Sequence, residues 1–235
     1  MDRFNSVRRA GGMTLFSGKR VHLIHDSETD PSANMAREEE LFRLVESSGR
    51  PETVRFWTNS ECLVMGKAKN ARYGWYRERL ADELGVAVIQ RETGGGVVYH
   101  DPGNLNWSAF ARSDGALQSP TKLFGQAAGY MVEALGRLGV RAEFSPPNRI
   151  DVEGCKVSGL AARSTPRAVL VHGTLLLASN LERLNRLCIP PEGCPPVANL
   201  SRWVEGIGAP AVVAAFGGVL KASGLEVFPY ERAGA

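Results

Sequence analysis

The chain has 235 residues, 43% of them hydrophobic and 23% charged, a balance that excludes disordered and fibrous classes. At this length roughly 70–75% of the unfolded surface can be buried, enough for an unaided core. Twenty-eight basic and 25 acidic residues leave a net charge of +3, too small for a nucleic-acid platform, and no stretch approaches the roughly 18 apolar residues of a membrane span.

The expected organisation is a loose leader over residues 1–12, with Met13 as an alternative start, and one domain over 13–235. The leader is charged and no apolar segment follows it, so it does not read as a signal peptide. Cys62, Cys155, Cys188 and Cys194 lack zinc-type spacing and read as reduced thiols of a cytoplasmic protein. VHLIHD (21–26) is a strand candidate, and after Asp30-Pro31-Ser32 the segment 33–48 reads as a helix with Leu41, Leu44 and Val45 on one face. TVRFW (53–57) and CLVMG (62–66) flank a four-residue turn and predict a hairpin. Tyr76, Leu80 and Leu84 predict a helix over 73–84, closed by Gly85.

VAVIQR (86–91) and VVYH (97–100) are strands on either side of three glycines, and LNWSAF (105–110) alternates as a half-buried strand does. Pro120 opens a helix with a stripe of Phe124, Ala127, Ala128, Met131, Leu135 and Leu138. Two strands, 149–152 and 156–161, surround the turn Glu153-Gly154, and 168–177 is a long β-branched strand. A short helix over 181–187, a Pro-rich loop and a helix over 210–223 complete the chain. Hairpins outnumber βαβ crossovers, so the fold class is α+β with a mixed or antiparallel sheet and flanking helices.

Three segments could carry chemistry. In Arg91-Glu92-Thr93-Gly94-Gly95-Gly96-Val97-Val98-Tyr99-His100-Asp101, consecutive glycines raise the entropy cost of folding while allowing close backbone approach and exposed N–H groups that cradle phosphate. The triplet alone reads first as a flexible hairpin loop; Arg91 before it and His100-Asp101 after it, polar residues at both ends of one turn, favour a site. Gly154-Cys155-Lys156-Val157-Ser158-Gly159 places a lysine just after a turn, either as an edge charge or as a fixed cation facing a phosphate or carboxylate. In Val171-His172-Gly173-Thr174, a His-Gly pair interrupts an apolar strand, where a core histidine and a ligand contact are both open readings.

In this order and spacing the three segments resemble the lipoate–protein ligase A family, within the superfamily of biotin and lipoate protein ligases. Arg91 to His100-Asp101-x-Gly103-Asn104 resembles its glycine-rich signature. Asn148 with Gly154-x-Lys156-Val157-Ser158-Gly159-x-Ala161 resembles its lysine motif, and His172-Gly173-Thr174 the strand that follows. Weaker matches are Asn34-Met35-Ala36-x-Glu38-Glu39 and Val64-Met65-Gly66-Lys67-x-x-Asn70.

The resemblance implies a class II synthetase-like catalytic domain that joins lipoate to ATP, releases pyrophosphate and passes the lipoyl group to a lysine of a lipoyl carrier domain. It implies Lys156 as the catalytic cation at the acyl carbonyl and α-phosphate. Arg91, Thr93 and the backbone of Gly94, Gly95 and Gly96 would close over the mixed anhydride. Val98 and Tyr99 would read adenine, and His100, His172, Gly173 and Thr174 would flank the lipoyl chain. Asn148, Ser158, Gly159 and Ala161 would belong to the adenylate site.

ATP would come with Mg2+. The metal ligands stay unassigned, because Arg149 stands where the family has aspartate, and Gln90 replaces the first arginine of its usual pair. The chain ends at Ala235, short of the accessory domain of longer ligases, so a small separate protein is an expected partner. Neither nucleic acid nor membrane is expected to bind. The alternatives are an ATP-independent octanoyl or lipoyl transferase, with Cys188 or Cys194 forming a thioester, and a non-catalytic carrier-binding homologue.

Overall fold

In this computed structural model, residues 15–47, 51–67 and 75–229 are described. The strands are β1 (Arg20–His25), β2 (Glu52–Trp57), β3 (Cys62–Met65), β4 (Ala87–Gln90), β5 (Val97–His100), β6 (Asn104–Arg112), β7 (Ala142–Ser145), β8 (Arg149–Val152), β9 (Cys155–Ser164), β10 (Ala168–Leu176) and β11 (Glu226–Pro229). The α-helices are α1 (Pro31–Glu46), α2 (Glu78–Glu83), α3 (Pro120–Arg137), α4 (Leu181–Leu187) and α5 (Ala209–Ala222). One eight-stranded sheet runs β11-β1-β2-β6-β10-β9-β8-β7, and a separate three-stranded sheet runs β4-β3-β5. The first is parallel across β11, β1 and β2 and antiparallel from β2 onward, so the α+β mixed-sheet expectation holds.

Strand alternation divides the large sheet into two unlike faces. Val54 and Phe56, then Leu105, Trp107, Ala109 and Ala111, then Val169, Val171 and Leu175 join the main core with α3 and α5. On the opposite face Phe110, Ala168 and Leu170 pack on Leu41, Phe42 and Val45 of α1. Beyond that apolar patch the same registers carry Arg55, Asn104, Asn106, Ser108 and His172, all buried. Helix α1 repeats the division. Its buried face is Asn34 and Glu38 near the start, then Leu41, Phe42 and Val45. Asp30 caps it through the Ala33 N–H at 2.7 Å, with Pro31 in the first turn, which fixes where Asn34 and Glu38 fall.

Several sequence expectations need correction. Segments 53–57 and 62–66 are not a hairpin: β2 pairs with β1 and β6, while β3 pairs with β4 and β5. Strand β6 is buried on both faces, because α1 covers the side expected to be solvated. Helix α2 begins only at Glu78, and Gly85 follows it at φ +64°. Strands β7 and β11 had no sequence signal. Leu44 is only half-buried, while Leu123 and Ala134 join the stripe of α3. The leader, Met13 and Asn70 lie outside the described residues. No described helix is long and apolar enough to cross a membrane.

Candidate active site

The small sheet holds the glycine-rich loop. Arg91 follows β4 and donates its backbone N–H to Met65 O at 2.9 Å. Its buried guanidinium then braces the loop: Nε donates to Thr93 Oγ1 (3.0 Å), Nη1 to Val64 O (2.9 Å) and Nη2 to Gly94 O and Gly96 O (2.7 and 2.9 Å). Burial lowers its pKa to about 10, so it stays cationic at neutral pH. Arg91 therefore spends three of its five donors on the loop itself and a fourth on β3.

The glycines have different reasons. A Cβ on Gly66 would lie 2.2 Å from Gly95 O, and one on Gly96 2.3 Å from the Trp75 ring. Gly95 sits at φ +94°. At Gly94 a Cβ would meet nothing within 4 Å, so no described neighbour demands glycine there.

Thr93 carries the loop across to the large sheet. Its hydroxyl lies 2.7 Å from His172 Nε2, and His172 Nδ1 lies 2.9 Å from Glu38 Oε1. Glu38 also accepts from Ser108 Oγ at 2.5 Å. Burial opposes ionisation of Glu38, but His172, Ser108 and Arg55 together hold its carboxyl below the usual range. An ionised Glu38 can only accept, so His172 Nδ1 carries a proton and donates to it, while Nε2 faces the Thr93 hydroxyl. His100 is also buried, with Nδ1 2.9 Å from Asn59 Nδ2. Burial, with Arg91 and His172 nearby, depresses its pKa to about 3, so the ring is neutral.

From His172 a run of contacts reaches Lys156. A Cβ on the next residue, Gly173, would lie 3.0 Å from Gly159 O; Thr174 Oγ1 accepts the Gly159 N–H at 3.4 Å. The Lys156 side chain folds over Gly159, its Cε and Nζ each 3.2 Å from where a Cβ would sit. Among the described residues Nζ has no hydrogen bond and no carboxylate within salt-bridge distance, and burial lowers its pKa against the pull of Cys194 and Asp151. Asp151 is instead paired with Arg149 at 3.2 Å.

Asn148 clamps β8 to β9 by donating Nδ2 to Leu160 O while its own carbonyl accepts the Leu160 N–H, both at 2.8 Å. Ala161 lies opposite His172 in register. Ser158 Oγ is buried without a partner among the described residues. The Pro-rich loop closes the arrangement: Lys156 N–H donates to Pro196 O (2.8 Å), and Ile189 N–H to the carbonyl of Trp75 (2.8 Å), whose ring packs on Gly96.

The sequence-picked residues thus form two linked clusters, one around the glycine loop and histidines and one around Lys156. Tyr99 turns aside, its hydroxyl donating to Glu61 Oε1 at 2.8 Å, and Arg183 pairs with the same carboxylate. Val98 and Tyr99 nevertheless sit on β5, an edge strand of the small sheet, whose outer side pairs with no other strand. Sequence reasoning missed Asn59, Arg55 and Ser108 as members of the site; only the offset of the weak Asn34–Glu38 match hinted at their partners.

No three His, Cys, Asp or Glu side chains gather as a metal cage among the described residues. With Asp151 taken by Arg149, these residues do not fit a protein-held Mg2+. The four cysteines are free thiols, and burial pushes Cys188 up to about 11.

Residues 30–218 match the family model described as the lipoyl protein ligase A/B catalytic domain. The lipoate-protein ligase LplJ of Bacillus subtilis (strain 168) is 34% identical over 155 residues, 66% of this chain and 45% of its own. The chain spans about half the length of the curated relatives it matches, at 45%, 46% and 48% for three of them. A bipartite lipoate protein ligase from Thermoplasma acidophilum, described with its E2 lipoyl domain, shares the fold with a TM-score of 0.79 at 22% identity, covering 92% of this chain and 87% of that one. A lipoate-protein ligase A described as bound with ATP superposes with a TM-score of 0.77 at 23% identity, over 91% of this chain and 87% of its own.

Proposed function

Because the chain belongs to the family of lipoyl protein ligase A/B catalytic domains, we propose that it is a lipoate–protein ligase, activating lipoate with ATP and transferring the lipoyl group to a carrier lysine. The single observation that carries this reading is Lys156: a half-buried ammonium with no carboxylate within salt-bridge distance among the described residues, linked by contacts to a glycine loop. Such a cation is costly to keep unless it meets an anion from outside the protein.

In the first step the lipoate carboxylate attacks the α-phosphorus of ATP, forming lipoyl-AMP and releasing pyrophosphate. Lys156 supports it by drawing two anions together and stabilising charge at the acyl phosphate. Gly94, which no described neighbour requires to be glycine, leaves room for the ligand to approach the loop backbone. The open edge of β5 at Val98 and Tyr99 suits an adenine. The acyl chain follows the buried face of His100 and His172. In the second step the carrier's lysine amine attacks the acyl carbonyl and AMP leaves. Magnesium accompanies ATP as the nucleotide's counter-ion, and no step here depends on a protein-held metal.

A lipoyl carrier domain as acceptor is supported by the Thermoplasma ligase being described with its E2 lipoyl domain. That ligase is also described as bipartite, which supports a separate accessory protein for this chain. Sustained turnover by the purified chain alone would remove that need. Release of pyrophosphate that requires both lipoate and ATP tests the main reading.

One observation favours a second reading. Cys194 and Cys188 both act electrostatically on Lys156, so a thiol could receive an acyl group beside a fixed cation without ATP. Against it, the raised pKa of Cys188 leaves little thiolate at neutral pH. An acyl-enzyme thioester formed from an acylated carrier without nucleotide separates this reading from the ligase.

A further inference from the structure

A buried cation fixes the direction of a hydrogen-bond chain that ends at His100. Arg55 is fully buried, paired with Asp26 at 3.0 Å and stacked on Trp57 at 4.5 Å. A guanidinium can only donate. It donates to Asn34 O at 3.0 Å and to Asn34 Oδ1, so the Asn34 amide must donate onward through Nδ2. That Nδ2 lies 2.9 Å from Glu28 O and 2.8 Å from Asn59 Oδ1. Asn59 Oδ1 is then the acceptor and Asn59 Nδ2 the donor, 2.9 Å from His100 Nδ1. His100 Nδ1 must accept, and the neutral ring carries its proton on Nε2.

That Nε2 is buried without a partner among the described residues, on a side chain only 4% exposed. The polar groups around it are otherwise engaged: Arg91 with the loop carbonyls, His172 Nε2 with Thr93, His172 Nδ1 with Glu38. Both ring nitrogens of His172 thus have partners, whereas His100 keeps a donor with none among the described residues. A buried unmet donor is strongly disfavoured, so an acceptor from outside the described protein is expected there.

We propose that Asn59 is a positioning residue that locks His100 as its Nε2–H tautomer, so that this N–H is a hydrogen-bond donor kept for the bound acyl ligand. The tautomer follows from the hydrogen-bond chain alone; the identity of the ligand rests on the ligase reading above.

Long-range 1H–15N correlation of the histidine rings tests both parts, with His100→Gln assigning the signals. Ligand-free wild type is expected to show His100 neutral, bare at Nδ1 and protonated at Nε2. Asn59→Asp should invert this, because a carboxylate accepts from Nδ1–H, and Asn59→Leu should give a mixture. Added lipoate should shift the wild-type Nε2–H signal. In Asn59→Asp the KM for lipoate should rise about tenfold, as expected for one lost buried hydrogen bond, with kcat within about twofold.

A wild-type ring protonated at Nδ1, or charged near neutral pH, overturns the proposal without any variant needing to fold. An inverted tautomer with unchanged KM overturns the donor's role in binding while leaving the ligase reading intact. Failure of lipoate to bind at all overturns the ligand assignment and the ligase reading together, and the ligand-free spectrum still decides the role of Asn59.

Discussion

Replacing Lys156 by methionine separates catalytic worth from structural worth in a single variant. Methionine keeps the apolar stem that folds over Gly159 and removes only the charge. A cation about 4 Å from an anion gains roughly 4 kcal/mol at the effective dielectric of a partly buried site. Removing one preorganised stabilising group commonly costs about 10²–10³ in rate, or roughly 3–4 kcal/mol, so both routes agree.

The stability effect should run the other way. The Lys156 pKa is lowered, chiefly by burial, so its charged form is disfavoured in the folded state, and stability rises with pH toward the lysine's ordinary value. At neutral pH Lys156→Met relieves that penalty. Lipoate-dependent pyrophosphate exchange should therefore fall by about 10²–10³ while the melting temperature holds or rises. Exchange within about twofold of wild type, or a melting temperature lowered by several degrees, would refute the reasoning, because either marks an ordinary structural lysine.

Gly66→Ala forces a Cβ to 2.2 Å from Gly95 O and should lower stability by about 1–3 kcal/mol in denaturant melts, whereas Gly94→Ala, facing open space, should leave stability within about 0.5 kcal/mol and weaken ATP or lipoate binding by calorimetry. Cys188→Ser and Cys194→Ser should each retain adenylation, with no acyl thioester by mass spectrometry; a thioester would move the assignment to the transferase. His100, depressed to about 3, takes up a proton on unfolding at any pH between there and about 6.5, so stability falls as pH drops through this range. Its share approaches about 1.4 kcal/mol per pH unit, and His100→Gln should flatten the slope between pH 6.5 and 4.5, above the range where Glu38 contributes.

The sequence made the glycine loop, Lys156 and His172 legible because each lies within one short motif whose spacing reports a backbone device. The polar chain from Arg55 through Asn34 and Asn59 to His100 was not legible, since its members come from β2, α1, the segment after β2 and β5 and meet only after folding. Asn59 reads locally as a turn residue between two apolar runs. That same turn signature produced the mistaken hairpin: it marks where β2 ends but not which strands β2 and β3 pair with. Alternation in β6 did separate Leu105 and Trp107 from Asn106 and Ser108, but a polar residue facing a buried site looks like one facing water. Strands β7 and β11 contain no fully buried residue, so unlike the equally short β3 they show no apolar run in the sequence.

The central claim is that this chain makes an acyl-adenylate. Enzyme in molar excess over lipoate, mixed with ATP and quenched within one turnover, should yield lipoyl-AMP and an equal amount of pyrophosphate by mass spectrometry, so slow turnover without an accessory protein does not obscure the result. Recovery of unmodified lipoate, or of an acylated cysteine formed without ATP, would contradict it.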